Sequence, residues 1–176
     1  YNGLPVTSIR DSAFDGCTEI TGVTIPDSVT SINYASFRGC TGLTSIDIPD
    51  YVTNIGTAAF EDCTGLTEIS IPDSVTSISQ RAFDNTAYYN QDSNWEQGVL
   101  YIGRHLIAAN TTISGKYTVK EGTQIIAGGA FESCTALDQV ILPDSVISIS
   151  ARAFYGCTDL SKITIPESVT FIGSWA

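Results

Sequence analysis

Acidic residues that follow prolines are the side chains whose spacing could support chemistry. Asp27, Asp50 and Asp73 recur at one constant interval along the chain, and Asp144 and Glu167 occupy the same place later on. If successive strands pair, these carboxylates would lie about 5 Å apart, which resembles the separation in a retaining glycosidase. Catalytic pairs need unlike environments, so we favour turn residues that accept backbone N–H bonds, with weak cation binding as the alternative.

His105 is the only histidine, so every Ser/His/Asp or Cys/His mechanism would have to pass through it. It follows Gly103 and Arg104, and we interpret it as a turn residue rather than a general base. With near-identical carboxylates and a turn histidine, the sequence predicts no catalytic residue, no cofactor and no enzymatic activity.

The cysteines form a second regular set, because each lies three residues after a phenylalanine and directly before a threonine. CxxC and CxxH spacings are absent, which argues against a metal site. The odd count of five could mean disulfides plus a spare thiol. Parallel side chains in register point the same way instead of toward each other, so we predict buried free thiols. The set comprises Cys17, Cys40, Cys63, Cys134 and Cys157, and Thr86 replaces cysteine after Phe83.

A repeating unit sets the spacing of these residues, and the stretch from Gly42 to Thr64 shows this unit in full. Leu43, Ile46 and Ile48 alternate with polar residues as a half-buried strand does, and Pro49 ends the strand. A second short apolar segment, a glycine and a phenylalanine complete the coil. No coil can cover its own top and bottom, so the sequence predicts stacked coils in which each position forms a ladder. The ladder phenylalanines are Phe14, Phe37, Phe60, Phe83, Phe131 and Phe154.

The pattern LTEISIPDSVTSISQRAFDNT, Leu66 to Thr86, resembles the BspA-like leucine-rich repeats of bacterial and some protist cell surfaces. Six coils match it, covering most of the chain. The resemblance implies a mainly β, right-handed solenoid with short parallel strands, the strand before the proline lying on the concave side. It also implies display on a bacterial cell surface or secretion, and adhesion, in some members to host matrix proteins. It implies no particular ligand residues.

The repeat is interrupted at residues 84–116, where the interval from Phe83 to Phe131 is slightly longer than two repeating units. Two β-prone runs flank Gly103 and Arg104 in GVLYIGRHLIAA, which predicts a tight hairpin. BspA-like proteins often carry a similar segment. The alternative is a retained coil with Val99, Ile102 and Ile107 in the Val, Ile and Phe places. The polar and aromatic residues before the hairpin either contact a ligand or cover its apolar face; they include Tyr88, Tyr89 and Trp95.

The length and the net charge of the chain limit its domain organisation and the classes of partner it could bind. The 176 residues suit one solenoid domain, 1–176, with regular repeats in 1–83 and 117–176. The chain opens inside a coil, Tyr1 to Pro5 standing for a full first strand, and ends without a polar cap, so we interpret it as a fragment. A net charge of −11 argues against nucleic acid. No apolar run approaches the ~20 residues of a membrane span, and we expect a monomer.

We therefore predict a non-enzymatic extracellular module that binds a host or cell-surface protein or glycan through the concave strand face. The alternative is a structural spacer or stalk, and a carbohydrate-active enzyme on the β-solenoid is a third hypothesis. A binder should show local breaks in its ladders, and 84–116 is such a break. The candidate contact residues are Thr21, Thr24, Thr44, Asp47, Glu68, Ser70, Trp95, Gln139, Ile141 and Lys162.

Overall fold

The structure is a computed structural model that describes residues 3–176. The chain divides into two compact units, 1–92 and 93–176. The prediction for Tyr1 and Asn2 lies outside the described residues. Both units consist of short strands joined by turns, with a 3₁₀ turn at Asp92–Asn94. Residues 3–176 contain no helix with the length and apolar character needed to cross a bilayer.

Unit 1, residues 1–92, contains two parallel sheets that run through successive coils. Strands pair with the equivalent strand of the next coil, for example Ile9 with Ile32 and Ile46 with Ile69. One sheet is formed after each proline by β1 (Ser8–Ile9), β2 (Ser31–Ile32), β4 (Asn54–Ile55) and β6 (Ser77–Ile78), and the other before the proline by β3 (Ser45–Asp47) and β5 (Glu68–Ser70).

Phenylalanines form the core of unit 1 as a continuous stack. The rings of Phe14, Phe37, Phe60 and Phe83 lie 5.2–5.4 Å apart between centroids and within 9° of parallel. The backbone takes a left-handed conformation two residues before and two residues after Phe60, at Ala58 (φ 56°) and Asp62 (φ 60°). These two bends reverse the chain around the ring, so each coil presents its phenylalanine inward.

Side chains at fixed places in the repeat bond one coil to the preceding one. The Ser74 hydroxyl donates to the Val52 carbonyl at 2.8 Å, and the Cys63 thiol donates to the Phe37 carbonyl at 3.0 Å. The same bonds recur from Ser28 to Val6 and from Cys40 to Phe14. Because each such group finds its acceptor on a neighbouring coil, stacking satisfies polar atoms that would be costly to bury alone.

Unit 2, residues 93–176, begins with an antiparallel arrangement and continues as a parallel solenoid. Val99–Ile102 and His105–Ala109 form the predicted hairpin, with Gly103 at φ 58° in the first turn position. The strands are β7 (Trp95–Glu96), β8 (Val99–Ile102), β9 (His105–Ala109), β10 (Gly115–Thr118), β11 (Ile125–Ile126), β12 (Leu137–Ile141), β13 (Ser148–Ile149), β14 (Lys162–Thr164) and β15 (Phe171–Ile172). One sheet has the order β10-β12-β14, and the other β15-β13-β11-β9-β8-β7.

The second strand of the hairpin also enters the parallel ladder. Leu106 of β9 pairs with Ile126 of β11, and Ile126 pairs with Ile149, so Leu106 occupies the ladder place of the post-proline isoleucine. The hairpin prediction is therefore confirmed. The alternative coil assigned that place to the wrong residue, Ile102, which lies in β8 and pairs with His105.

Two local expectations were wrong. His105 is the first residue of β9 and is fully buried, because the turn comprises only the two residues before it. In the first coil, residues 21–25 occupy the place before Pro26 but form no strand. The fold class itself, a mainly β solenoid of short parallel strands with a hairpin interruption, is confirmed.

Candidate binding face

Two strands that precede prolines, β3 and β5, carry three of the predicted contact residues of unit 1. In β3, Ser45 and Asp47 are exposed on either side of buried Ile46, and Glu68 and Ser70 are exposed in β5. Parallel pairing places Ser45 beside Glu68 and Asp47 beside Ser70. We call these two registered lines of exposed side chains the outer rows of unit 1.

The outer rows differ from the other ladders because their side chains make no bonds between coils. The Ser, Thr and Cys ladders donate to carbonyls of the preceding coil. Among residues 3–92, by contrast, none of Ser45, Asp47, Glu68 and Ser70 forms a side-chain hydrogen bond or ion pair. These four side chains are displayed without stabilising the stack, which leaves their polar groups available to a ligand.

The other candidates of unit 1 are less alike. Thr44 is exposed one residue before β3, and its carbonyl accepts the Thr67 hydroxyl at 3.3 Å, so this place belongs to a structural ladder. Thr21 and Thr24 are exposed in the first coil, where no strand forms. Asp47, Glu68 and Ser70 are thus the members that the structure brings together.

Unit 2 has equivalent outer rows on β10, β12 and β14. In one row Lys116 pairs with Gln139, and Gln139 pairs with Lys162; in the other, Thr118, Ile141 and Thr164 follow each other. Lys162 is exposed and Gln139 is half-buried, as is Ile141, which was expected to be exposed. The structure brings the three predicted residues Gln139, Ile141 and Lys162 onto one face.

Trp95 is separated from that face, although both belong to unit 2. It lies in β7 at the edge of the six-stranded sheet and pairs with Leu100, whereas Gln139, Ile141 and Lys162 lie in the three-stranded sheet. The Trp95 side chain is half-buried. The aromatic segment before the hairpin therefore ends in strand β7, which pairs antiparallel with β8.

Sequence reasoning missed two features of the surface. Lys116 and Thr118 complete the rows of unit 2, but an irregular register between Gly115 and Lys116 concealed their equivalence to Ser45 and Asp47. The alternation of polar and apolar residues around Tyr117 was the signal that could have found them. In unit 1, Tyr51 is 65% exposed where other coils carry the bonding serine.

The charges of the two units differ. Residues 1–92 contain three Lys and Arg against twelve Asp and Glu, whereas residues 93–176 contain five against seven. The formal net charges are therefore −9 and −2, and all three lysines lie in unit 2. The outer rows follow the same division, because those of unit 1 carry Asp47 and Glu68 and those of unit 2 carry Lys116 and Lys162.

The cysteines and post-proline carboxylates, which were considered for redox or metal chemistry, lie in surroundings that favour a structural role. All five cysteines are free thiols. Burial raises the pKa of Cys63 to about 12 and that of Cys134 to about 11, which keeps both thiols protonated. The post-proline carboxylates Asp27, Asp50 and Asp73 are exposed, and within residues 3–176 no group of three or more His, Cys, Asp and Glu is arranged to hold a metal ion.

Solved structures similar to this chain include bacterial leucine-rich repeat proteins. A leucine-rich cell surface protein from Faecalibacterium prausnitzii A2-165 is 27% identical over 95% of this chain, with a TM-score of 0.48. The leucine-rich repeat protein of T. pallidum is 29% identical over 98% of this chain and 69% of its own, with a TM-score of 0.49. The chain spans 59% of the Faecalibacterium protein. No curated protein matches the sequence.

The repeat itself matches a family model described as the BspA type leucine rich repeat region. Six copies match, over residues 4–114 and 109–176, and the matches include the hairpin interruption. With its coil-to-coil ladders and its matches along nearly the whole described length, the chain belongs to the BspA-type leucine-rich repeat family.

Proposed function

We propose that this chain is a non-enzymatic binding module, displayed on the bacterial cell surface or secreted, that recognises an extended protein or glycan through its outer rows. The observation that carries the proposal is the contrast between ladders. Side chains elsewhere in the repeat bond one coil to the next, whereas the outer-row side chains described in each unit form no side-chain hydrogen bond or ion pair to a neighbouring coil.

The shape of these rows favours an extended partner. Each row repeats at the strand spacing of about 4.8 Å, so a ligand meets successive side chains along the stack rather than a closed pocket. Affinity at such a shallow surface comes from many weak contacts and a few anchors. Membership in a family of bacterial surface repeat proteins supports an extracellular location.

The absence of enzymatic activity is part of the same proposal. The single histidine is buried in β9, so it cannot act as a general base toward a substrate held on the outer rows. The thiols of Cys63 and Cys157 donate to carbonyls, and burial raises the pKa of both, so neither is an activated nucleophile. The post-proline carboxylates share one exposed environment, which does not separate an acid from a base.

The test is a binding screen of the 176-residue chain against purified extracellular-matrix proteins and a glycan array. Two row variants, Asp47→Lys/Glu68→Lys in unit 1 and Ile141→Ala/Lys162→Glu in unit 2, are compared with wild type. Asp27→Lys/Asp50→Lys is the matched control for the unit 1 variant, because it makes the same charge change at exposed turn residues off the rows.

We expect at least one row variant to weaken a wild-type interaction by tenfold or more, and the control to leave it within about twofold. Trp95→Ala tests β7, the edge strand of the six-stranded sheet, in the same screen. Capture of nothing by wild type would favour the spacer function instead. Partners whose binding ignores both row variants would place the binding site elsewhere.

A further inference from the structure

We infer that the outer rows of unit 2 bind an acidic peptide segment in the polyproline II conformation, with carboxylates at positions i and i+3 and an apolar side chain between them. This inference rests on the proposed function, because it names the partner chemistry of the same rows. It concerns Lys116, Gln139 and Lys162 in one row and Ile141 in the other.

The first observation is that two cations in this row are unpaired. Four other cationic side chains of residues 3–176 form ion pairs: Arg38 with Asp15, Arg81 with Glu61, Arg152 with Glu132, and Lys120 with Glu96. Lys116 and Lys162 have no ion-pair or hydrogen-bond partner among residues 3–176. In a chain of net charge −11, two free ammonium groups in one registered row form a local site for an anion.

The second observation is the spacing. Lys116 and Lys162 flank Gln139 on adjacent parallel strands, so their backbones are two strand spacings apart, about 9–10 Å. A polyproline II helix has three residues per turn and rises about 3.1 Å per residue, which places residues i and i+3 on one side about 9 Å apart. A fully extended β peptide would direct residues i and i+3 to opposite sides.

The third observation is the apolar neighbour. Ile141 is half-buried between Thr118 and Thr164 and lies two residues from Gln139 on the same face of β12. It offers apolar surface beside the cationic row, while Gln139 offers an amide to a peptide backbone between the two lysines. The rows contain no aromatic ring for stacking on a sugar, which favours a peptide over an anionic glycan.

One acidic side chain near the row is already engaged. Asp138 precedes Gln139, and its carboxylate accepts the Ser161 hydroxyl at 2.8 Å. It forms no ion pair with Lys162. The outer rows of unit 1 provide an internal contrast, because Glu68 carries the opposite charge at the repeat position of Lys162, and Asp47 adds a second carboxylate in the neighbouring row.

The inference can be tested by titrating the isotopically labelled 176-residue chain with synthetic peptides and following backbone amide shifts by NMR. The probe is acetyl-Pro-Glu-Pro-Val-Glu-Pro-amide, which carries its glutamates at i and i+3. A peptide of the same composition, acetyl-Pro-Glu-Glu-Val-Pro-Pro-amide, carries adjacent glutamates. We expect the first to shift amides of β10, β12 and β14 and to bind several-fold more tightly than the second.

The row is tested with Lys116→Ala/Lys162→Ala and with Lys120→Ala, a cation of the same unit that pairs with Glu96 off the row. We expect tenfold or greater weakening from the double variant and less than twofold from Lys120→Ala. Ile141→Ser should weaken the valine probe by several-fold, with a smaller effect on a probe that has glycine at that place.

Three results would overturn the inference. These are equal binding of the two glutamate isomers, shifts that centre on β3 and β5, and tighter binding of a uronic acid oligosaccharide to the same rows. If the peptides fail while the chain still captures a matrix protein or glycan through its outer rows, the proposed function stands and only the peptide assignment is wrong.

Discussion

The phenylalanine columns of the two units differ in the aromatic rings that they contact. In unit 1 four phenylalanine rings stack in parallel, each on the ring of the next coil. In unit 2 Phe131 stacks on Phe154 at 5.2 Å, but Tyr117 meets Phe131 at an interplanar angle of 57°. After the interruption, the tilted ring neighbour of Phe131 is therefore a strand residue, Tyr117 of β10, and parallel ring stacking resumes with Phe154.

The thiol hydrogen bonds also have a different acceptor next to the interruption. The thiols of Cys63 and Cys157 donate to phenylalanine carbonyls of the preceding coil at 3.0 Å. Cys134 lies after the interruption, where no such phenylalanine precedes it, and its thiol approaches the Asn110 carbonyl at 3.7 Å. The thiol of each coil therefore needs a backbone carbonyl on the preceding segment, and a residue other than phenylalanine can supply it.

The largest expected effect is the loss of a ring that is covered on both sides. Phe60→Ala should reduce the free energy of unfolding of unit 1 by about 3–5 kcal/mol, because Phe60 is fully buried between Phe37 and Phe83. Phe14→Ala should cost clearly less, since Phe14 is 38% exposed and has a ring neighbour on one side. Denaturant titrations of both variants measure the difference. Equal costs would contradict stacking between nearest neighbours.

Thiol reactivity should order the cysteines by burial across both units. Because burial raises the pKa of Cys63 to about 12, its thiolate is scarce at pH 8, and alkylation in the native chain should be at least ~100-fold slower than that of half-buried Cys17. Cys134, with its pKa raised to about 11, should react at an intermediate rate. Mass spectrometry of iodoacetamide-treated protein gives the rates.

After denaturation without reductant, all five cysteines should react, and a smaller number would reveal disulfides.

The raised pKa of Cys63 also makes the stability of unit 1 depend on pH. The folded chain keeps the Cys63 proton above the ordinary pKa of 9, so this contribution to stability is complete below about pH 9 and is lost as the pH rises toward about 12.

The tyrosine pair of unit 2 has no counterpart in the ring column of unit 1. The Tyr101 and Tyr117 hydroxyls are 3.0 Å apart, and Tyr101 also accepts the Lys120 N–H at 3.3 Å. Tyr117→Phe should cost about 0.5–1.5 kcal/mol, and Tyr101→Phe about 1–3 kcal/mol because it also leaves a backbone donor without its acceptor. Thermal unfolding of the two variants tests this order. The reverse order would show that the Lys120 bond contributes little.

The smallest expected effect comes from the left-handed residue after each phenylalanine. Ser133 has φ 61°, and Gly156 has φ 76° at the same place one coil later. Ser133→Gly should stabilise unit 2 by about 0.5–1 kcal/mol, and Gly156→Ala should destabilise it by about 1 kcal/mol. Asp62→Gly in unit 1 should gain less, since Asp62 accepts a hydrogen bond from Asn85 at 2.9 Å. Calorimetry of the three variants tests the ranking, which fails if Ser133→Gly destabilises the fold.

The sequence by itself determined the coil, its period, its inward residues and the place of the hairpin. Identical residues at one spacing can be satisfied only by stacking like on like, so Phe60 and Cys63 could be assigned to ladders from their spacing alone. The glycine at position 103, between two β-prone runs, was likewise sufficient to predict a tight turn.

The tertiary structure decided which residues the irregular segment contributes and which side chains remain unpaired. His105 is buried because β9 pairs with β11 in the parallel sheet, and Trp95 joins a different sheet from the outer rows. Lys116 reaches its row through an irregular register at Gly115. Periodicity predicts a position only where the period continues, whereas strand pairing after an interruption depends on contacts between segments that lie far apart in sequence.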